Sequence, residues 1–449
     1  MKLVMVGSGY VGLVSGVCFA DFGFDVTCVD VDESKIARLE AGELPIYEPG
    51  LDQLLAENVQ AGRLRFSTDL ATAAADADAV FIAVGTPSRR GDGEADLTYV
   101  FEAARQVARV AKPGTVVVIK STVVVGTCRK VKEIIATERP GLDFSVASNP
   151  EFLREGSAIE DFMRPDRVVI GVHDKRGESA LRRAYRPLYL RDSPMVVTTL
   201  ENAELIKYAS NAFLAMKVTF INEVADLCET VGGNVQEVAK AIGLDGRIGS
   251  KFLHAGPGFG GSCFPKDTRA FAATGQKHNA PLRLIETVIS VNEDRKRRMA
   301  EKILEPLGSN PEGKKVAVLG IAFKPNTDDV REAPSLDIVP RLLEAGAIVA
   351  AHDPEAREQA RPLLNEVTWA DDAYDAVKDA DVVAILTEWN EYRGLDLKRV
   401  AKLMRGNTLV DLRNIYKQED LEETGLLYIS VGRPRAGTPR LHAVSAKTA

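Results

Sequence analysis

Twice along this chain a lysine and four apolar residues lead into a glycine: Lys2-Leu3-Val4-Met5-Val6 before Gly7, and Lys315-Val316-Ala317-Val318-Leu319 before Gly320. Each reads as a strand entering a tight turn, and runs this uniformly apolar suit strands covered on both faces. After the first start, β-rich runs at Asp25–Val29, Ala79–Val84, Thr115–Lys120, Phe144–Ala147 and Arg167–Ile170 alternate with helical stretches, which predicts an open parallel sheet with crossover helices. After the second start, the runs Ile348–Ala351, Asp381–Leu386 and Thr408–Leu412 predict a smaller α/β domain of the same kind.

Between them the character changes. Asn202 to Val231 contains neither Pro nor Gly and keeps a helical period, so it reads as one long helix, suited to bridging two lobes or forming a dimer interface. A Gly- and Pro-rich stretch runs from Gly243 to Pro265, and a second helical run from Leu282 to Leu304. A chain of 449 residues exceeds one ordinary core. The expected division is an N-terminal domain over 1–200, a central helical domain over 201–305, a C-terminal α/β domain over 306–432, and a disordered tail over 433–449.

The net charge of −7 argues against a nucleic-acid binder, which needs a basic surface to release counterions from phosphates. No apolar run approaches the roughly 18 residues of a membrane span, and the N-terminus lacks the layout of a signal peptide. Five cysteines, an odd count without a CxxC pair, suit a reduced cytoplasm rather than a disulfide framework. His173, His254, His278, His352 and His442 are scattered, with no metal-ligand spacing among them, so no metal is expected.

The first turn is Gly7-Ser8-Gly9-Tyr10-Val11-Gly12, a G-x-G-x-x-G placed after a strand and opening a helix. Its glycines permit a tight turn, backbone approach to a pyrophosphate and close helix packing, while the helix N-terminus offers N–H donors to phosphate. Asp30 ends the next strand 18 residues after Gly12, close to the spacing of a ribose-binding acid. An acid there favours NAD over NADP, although Lys35 lies five residues on. Further polar groups follow other strands of the sheet: Thr86 in Gly85-Thr86-Pro87, Ser121-Thr122, and Asn149 to Glu155. Ligands of open α/β sheets bind at such carboxyl ends.

Gly258-Phe259-Gly260-Gly261-Ser262-Cys263-Phe264-Pro265-Lys266-Asp267 reads as a glycine-rich loop around a cysteine. A cation such as Lys266 nearby stabilises the thiolate, the nucleophilic form. Cys18, Cys28, Cys128 and Cys228 read instead as small buried hydrophobes. On the long helix Lys207, Asn211, Leu214, Val218 and Ile221 share one narrow stripe, which points a lysine and an amide inward toward a polar ligand.

Together, Gly7 to Gly12, Asn149 to Glu155, Lys207 with Asn211, Gly260 to Asp267, and Phe323-Lys324 with Arg331 resemble the UDP-glucose 6-dehydrogenase family, over nearly the whole chain except the tail. The resemblance implies two Rossmann-like doubly wound parallel-sheet domains joined by a long central helix and a helical connector. It implies two successive oxidations of a sugar C6 alcohol, with two NAD molecules reduced and the aldehyde held on Cys263 as a thiohemiacetal and then a thioester. Lys207 and Asn211 would stabilise oxyanion character. Asp267 and Thr122 would position water, with either Asp267 or Glu151 as the base. Tyr10, Val11, Asp30, Lys35, Thr86, Thr122, Glu155, Lys266 and Arg331 would lie near the cofactor. UDP-glucose would meet Glu151, Phe152, Leu153, Arg154, Glu155, Phe252, Leu253, Gly256 and Gly260, with Lys324 and Arg413 toward its diphosphate. Arg247 would reach the neighbouring subunit of a homodimer or higher oligomer.

Ile159 to Arg167 looks more like the UDP-glucose branch than like the GDP-mannose or UDP-N-acetylhexosamine enzymes, which share the thiol chemistry. A silent NAD- and nucleotide-sugar-binding sensor is the reading from another class, and it would have no need of Cys263. A one-step hydroxy-acid dehydrogenase would leave the second α/β domain unexplained.

Overall fold

The computed structural model describes residues 1–436 apart from Arg90, Asp92 and Asp192. The chain divides into two compact units, one of residues 1–212 with 266–282 and the other of 213–265 with 283 onward.

The first unit is built on eight strands: β1 (Lys2–Val6), β2 (Asp25–Val29), β3 (Leu64–Ser67), β4 (Ala79–Ile82), β5 (Thr115–Ile119), β6 (Phe144–Ser148), β7 (Val168–Val172) and β8 (Met195–Thr198). Their order is β3-β2-β1-β4-β5-β6-β7-β8. The strands from β3 to β6 are parallel, as the alternating apolar runs imply. The expectation for Arg167–Ile170 needs correction in direction, because β7 pairs antiparallel to β6 and β8 follows β7. Only one short helix, Ala158–Met163, separates β6 from β7, and the chain returns along the neighbouring edge instead of crossing over.

Both faces of this sheet are covered. Helix Tyr10–Asp21 is buried from Gly12 to Ala20, and its Phe19 ring lies among Phe81, Phe162 and Tyr185 at centroid separations of 5.2, 5.0 and 5.3 Å. On the opposite face Val100, Ala104 and Val107 pack with Val4, Val80 and Ile82. Burying each such large apolar side chain contributes about 1.5–3 kcal/mol. Cys18, Cys28, Cys128 and Cys228 are all buried.

The second unit carries six parallel strands, β9 (Lys315–Leu319), β10 (Ile348–His352), β11 (Thr368–Trp369), β12 (Val382–Ile385), β13 (Thr408–Asp411) and β14 (Leu427–Ser430). Their order, β11-β10-β9-β12-β13-β14, repeats that of the first six strands of the other sheet. The turns match as well. Gly7 (φ +99°) donates its N–H to Val29 O at 2.8 Å, and Gly320 (φ +93°) donates to His352 O at 2.9 Å.

The long helix runs from Leu200 to Val231, and the division between the units falls within it. The segment expected as a loop through Asp267 is corrected at its end: Phe264–Lys277 is helical, so Lys266 and Asp267 occupy a first turn and Cys263 immediately precedes it. Pro265 suits that position, where its missing N–H has no helical acceptor to lose. The expectation of a disordered tail is corrected for its first residues. Arg433 is buried and donates to Tyr428 Oη and Tyr416 O, and Ala436 pairs with Tyr428, while 437–449, with His442, lie outside the described residues. Among the described residues no helix is long and apolar enough to cross a membrane.

Candidate active site

The dinucleotide turn is built as its spacing requires. A Cβ on Gly7 would lie 2.7 Å from Ala83 O, and one on Gly12 only 1.9 Å from Gly7 O, so both positions exclude a side chain. Gly9 differs, since a Cβ there would meet nothing within 4 Å. It is the N-cap of helix Tyr10–Asp21 and no side chain caps its amides. Asp30 accepts from Ser8 N at 2.8 Å and from Lys35 Nζ at 2.9 Å. Burial opposes its ionisation, but Lys35 and the amides of Ser8 and Asp32 outweigh it and hold the carboxyl below its ordinary range. Glycine turn, bare helix N-terminus and ionised acid together fit NAD.

At the carboxyl ends of β4 and β5, Thr86 Oγ1 donates to Thr122 O at 2.9 Å, joining two segments expected near the cofactor. Beyond β6 the turn Asn149-Pro150-Glu151 delivers a buried carboxylate. Lys207 Nζ, from the long helix, donates to Glu151 Oε1 at 2.9 Å, with side chains only 4% and 5% exposed. Burial works against the Glu151 charge, yet Lys207, the Leu153 amide and Lys120 prevail and keep its carboxyl low. One turn along the helix, Asn211 Nδ2 donates to Asp267 Oδ2 at 2.6 Å, and Lys266 Nζ donates to Asp267 Oδ1 at 2.6 Å. The first unit thus brings together Lys207, Glu151, Asn211, Asp267 and Lys266, although Glu151 and Asp267 are each 56 residues from their helix partner.

Phe152 lies between Arg167 (3.6 Å from guanidinium to ring centroid) and Lys207 (5.3 Å). Leu153 and Glu155 are half-buried beside it, whereas Arg154 is exposed and doubly bonded to Asp161. Of the apolar positions expected on the helix stripe, Ile221 is buried, but Leu214 and Val218 are only half-buried.

In the second unit Cys263 is half-buried, its Sγ 3.7 Å from Ser262 Oγ, and it abuts the amide-rich start of helix Phe264–Lys277, an environment that favours thiolate. The glycines before it fix the loop. Gly261 (φ +82°) donates to Arg331 O at 2.9 Å, and a Cβ on Gly260 would sit 2.4 Å from Glu332 O. Gly256 donates to Asn222 Oδ1, Leu253 is buried, and Phe252 holds a left-handed φ of +67°. At the strand ends Arg413 donates to Leu386 O at 2.7 Å and Phe323 O at 2.9 Å, and Lys324 lies over the Phe323 ring. Arg331 makes a two-pronged pair with Asp329, and Arg247 is exposed and paired with Asp245.

Sequence reading missed the acids and the lysine that hold these segments. Glu48, buried, accepts from Tyr10 Oη and from the amides of Gly156 and Ala158 at 2.6 and 2.7 Å, tying the glycine turn to the loop after Glu155. Glu204 accepts from Gly126 N and Cys128 N, both at 2.7 Å, and so caps helix Thr127–Glu138 behind Thr122; burial pushes its carboxyl up. Glu204 stands one turn before Lys207 on the same helix, which was the available signal. Lys120, a charge directly after the four apolar residues that end β5, was another. Among the described residues no cluster of His, Cys, Asp and Glu could hold a metal ion.

A dinucleotide turn, a second sheet without G-x-G-x-x-G and a cysteine at a helix start define a class, the nucleotide-linked dehydrogenases of α/β fold. Profiles of the UDP-glucose/GDP-mannose dehydrogenase family match three segments: its NAD binding domain over 1–189, its central domain over 201–294 and its UDP binding domain over 317–418. A UDP-glucose 6-dehydrogenase of Rhizobium meliloti is 59% identical, covering 97% of this chain and 100% of its own length. The solved UDP-glucose dehydrogenase of the hyperthermophilic archaeon Pyrobaculum islandicum is 45% identical with a TM-score of 0.87, covering 96% of each chain. A UDP-D-ManNAc dehydrogenase from Pyrococcus horikoshii is 28% identical with a TM-score of 0.84, covering 96% of this chain and 99% of its own. The chain belongs to the UDP-glucose/GDP-mannose dehydrogenase family.

Proposed function

We propose that this protein oxidises the C6 hydroxymethyl group of UDP-glucose to a carboxylate, with two NAD reduced per sugar. The observation that carries this reading is the buried Lys207–Glu151 and Asn211–Asp267–Lys266 constellation, in a chain 59% identical to a UDP-glucose 6-dehydrogenase along that relative's full length. NAD, when bound, accepts the hydride in each oxidation.

The residues of the chain do the rest. Lys207 and Asn211 donate to the C6 oxygen as it takes on negative charge, fixed donors in a water-poor setting. The Cys263 thiolate adds to the C6 aldehyde, and the resulting thiohemiacetal keeps the reactive carbon on the protein. Loss of a second hydride leaves a thioester. Water positioned by Asp267 and Thr122 cleaves it, returning the thiol and releasing the acid, with Asp267 or Glu151 taking the proton. Gly7, Gly9, Tyr10, Val11, Gly12, Asp30, Lys35, Thr86, Glu155, Lys266 and Arg331 hold the cofactor. Phe152, Leu153, Arg154, Phe252, Leu253, Gly256, Gly260, Lys324 and Arg413 hold the nucleotide sugar.

The division into an NAD-binding domain, a central helical domain and a UDP-sugar domain belongs to the same proposal, as does work in a reducing cytoplasm. So does a homodimer formed on the long helix. Phe213, Phe220 and Leu227 recur every seven residues and are 55%, 52% and 60% exposed, and Val231 after them is 69% exposed. A face of that kind is suited to a copy of itself. Arg247 would then serve the neighbouring subunit's nucleotide.

The first test is NADH formed per UDP-glucose consumed. Two NADH in the parent, with acid formation abolished in Cys263→Ala, is the expected result. One NADH per sugar, or acid still made by the variant, sinks the mechanism. No NADH from UDP-glucose, with NADH from GDP-mannose, moves the assignment to that substrate.

A further inference from the structure

Strand β5 ends in four apolar residues and then a lysine, Lys120, only 3% exposed. Among the described residues no acidic side chain bonds it. Its ammonium donates to Asn149 O at 3.3 Å, Asn149 Oδ1 at 3.1 Å and Tyr185 Oη at 3.2 Å, so its three protons meet three neutral acceptors. Asn149 is bound on every other side. Its N–H goes to Ile119 O at 2.9 Å, its Nδ2 to Val169 O at 2.9 Å, and its Oδ1 also accepts from Tyr185 Oη at 2.6 Å. Two residues on, Glu151 meets Lys207.

We propose that Lys120 is a positioning residue for the oxidation: it fastens the Asn149-Pro150-Glu151 turn to β5 and Tyr185, and supplies the second positive charge beside Glu151. This rests on the reading of Glu151 and Lys207 as parts of the reacting site.

Three observations support it. A buried ammonium with only neutral partners is costly, and its three hydrogen bonds all end on Asn149 and Tyr185, so that cost is met at the point where the Asn149-Pro150-Glu151 turn is held. The groups bearing on it come from three elements: Glu151 from the turn after β6, Lys207 from the long helix, and Tyr185 from the end of helix Lys175–Ala184. Burial pushes the Lys120 ammonium down to about 8, against Glu151, which favours it, and with Lys207, which opposes it. Lys120 in turn helps hold the Glu151 carboxyl low. Lys207 thus pairs with Glu151 directly while Lys120 acts on it only through the field, so two lysines face one carboxylate where an oxyanion would develop.

The test compares the parent, Lys120→Met and Tyr185→Phe in NADH production from UDP-glucose between pH 5.5 and 10. Expected for Lys120→Met is a kcat loss of about tenfold or more, an unchanged KM for NAD, and an acid limb moved to higher pH. Tyr185→Phe keeps the charge and loosens only the turn, so its kcat falls a few-fold with the acid limb in place. Unchanged kcat and acid limb in Lys120→Met overturn the inference, and so does a kcat loss with no shift of that limb. If Lys120→Met does not fold, an unchanged kcat in Tyr185→Phe overturns it.

A parent that reduces no NAD with any nucleotide sugar defeats the functional reading instead, and unfolding in urea then decides. The folded state gives up the Lys120 proton near pH 8 and the unfolded chain near 10.5, so parent stability climbs relative to Lys120→Met across that window. A difference independent of pH overturns the assignment of a buried charged lysine.

Discussion

A carboxylate as secluded as Glu151 stays ionised because Lys207 and the Leu153 amide meet it directly and the Lys120 charge adds to their effect. Removing Lys207 leaves the charge stranded. Lys207→Met is expected to lose about 3–5 kcal/mol in urea unfolding at pH 7. The pH dependence reverses as well. In the parent the folded pKa is depressed, so this stabilisation is present above the ordinary value of 4.5 and fades as pH falls through the folded one. Without Lys207, burial raises the carboxyl above 4.5, and the variant gains stability as acid protonates it. A variant with the parent's acid dependence would contradict the pairing. Lys207 and Asn211 could be found from their spacing along one helix, because helical period is local. Glu204 had its place before Lys207 as a local sign, but its role did not show, nor did that of Glu48, since their partners lie 76 to 78 and 38 to 110 residues away and only the tertiary fold brings them together.

The glycine turn divides its labour among elements. Gly12 exists for packing and Gly9 for access. Gly12→Ala is expected to lower the melting temperature by several degrees and abolish NAD binding, because its methyl collides with the Gly7 carbonyl. Gly9→Ala should melt within a degree or two of the parent yet bind NAD at least tenfold more weakly in calorimetry, its methyl standing where a pyrophosphate must approach the backbone. Equal effects at both positions would refute this division. The strands that escaped sequence reading are β3, β8, β11 and β14, the edges of the two sheets. Central strands betray themselves as unbroken apolar runs. An edge strand is covered less completely and is shorter or more polar, as β8 shows with no buried residue and β11 with only two residues. The direction of β7 was hidden for another reason: a strand's composition carries no sign of which way it runs.

At the scale of the molecule, the exposed face of the long helix predicts association. Phe220→Asp should convert a dimer to monomers in analytical ultracentrifugation while leaving the circular dichroism of the monomer intact; a dimer that persists unchanged places the interface elsewhere. The repeat of β-strand and glycine announced two α/β domains, whereas the division of the chain within two helices had no local signature. The two turns nevertheless differ in one respect. In the second, the carboxylate of Asp353 accepts from both Ile321 N at 2.6 Å and Ala322 N at 2.9 Å, whereas Asp30, at the matching strand end of the first, takes Ser8 N and leaves the amides from Gly9 onward to a ligand. Both turns thus carry an internal carboxylate, but only the first keeps amides over for a second anion. In hydrogen–deuterium exchange, NAD should therefore slow the amides of Gly9 to Val11 and leave Ile321 and Ala322 at the rates they already have, so that the same backbone design reports cofactor binding in one half and stays silent in the other.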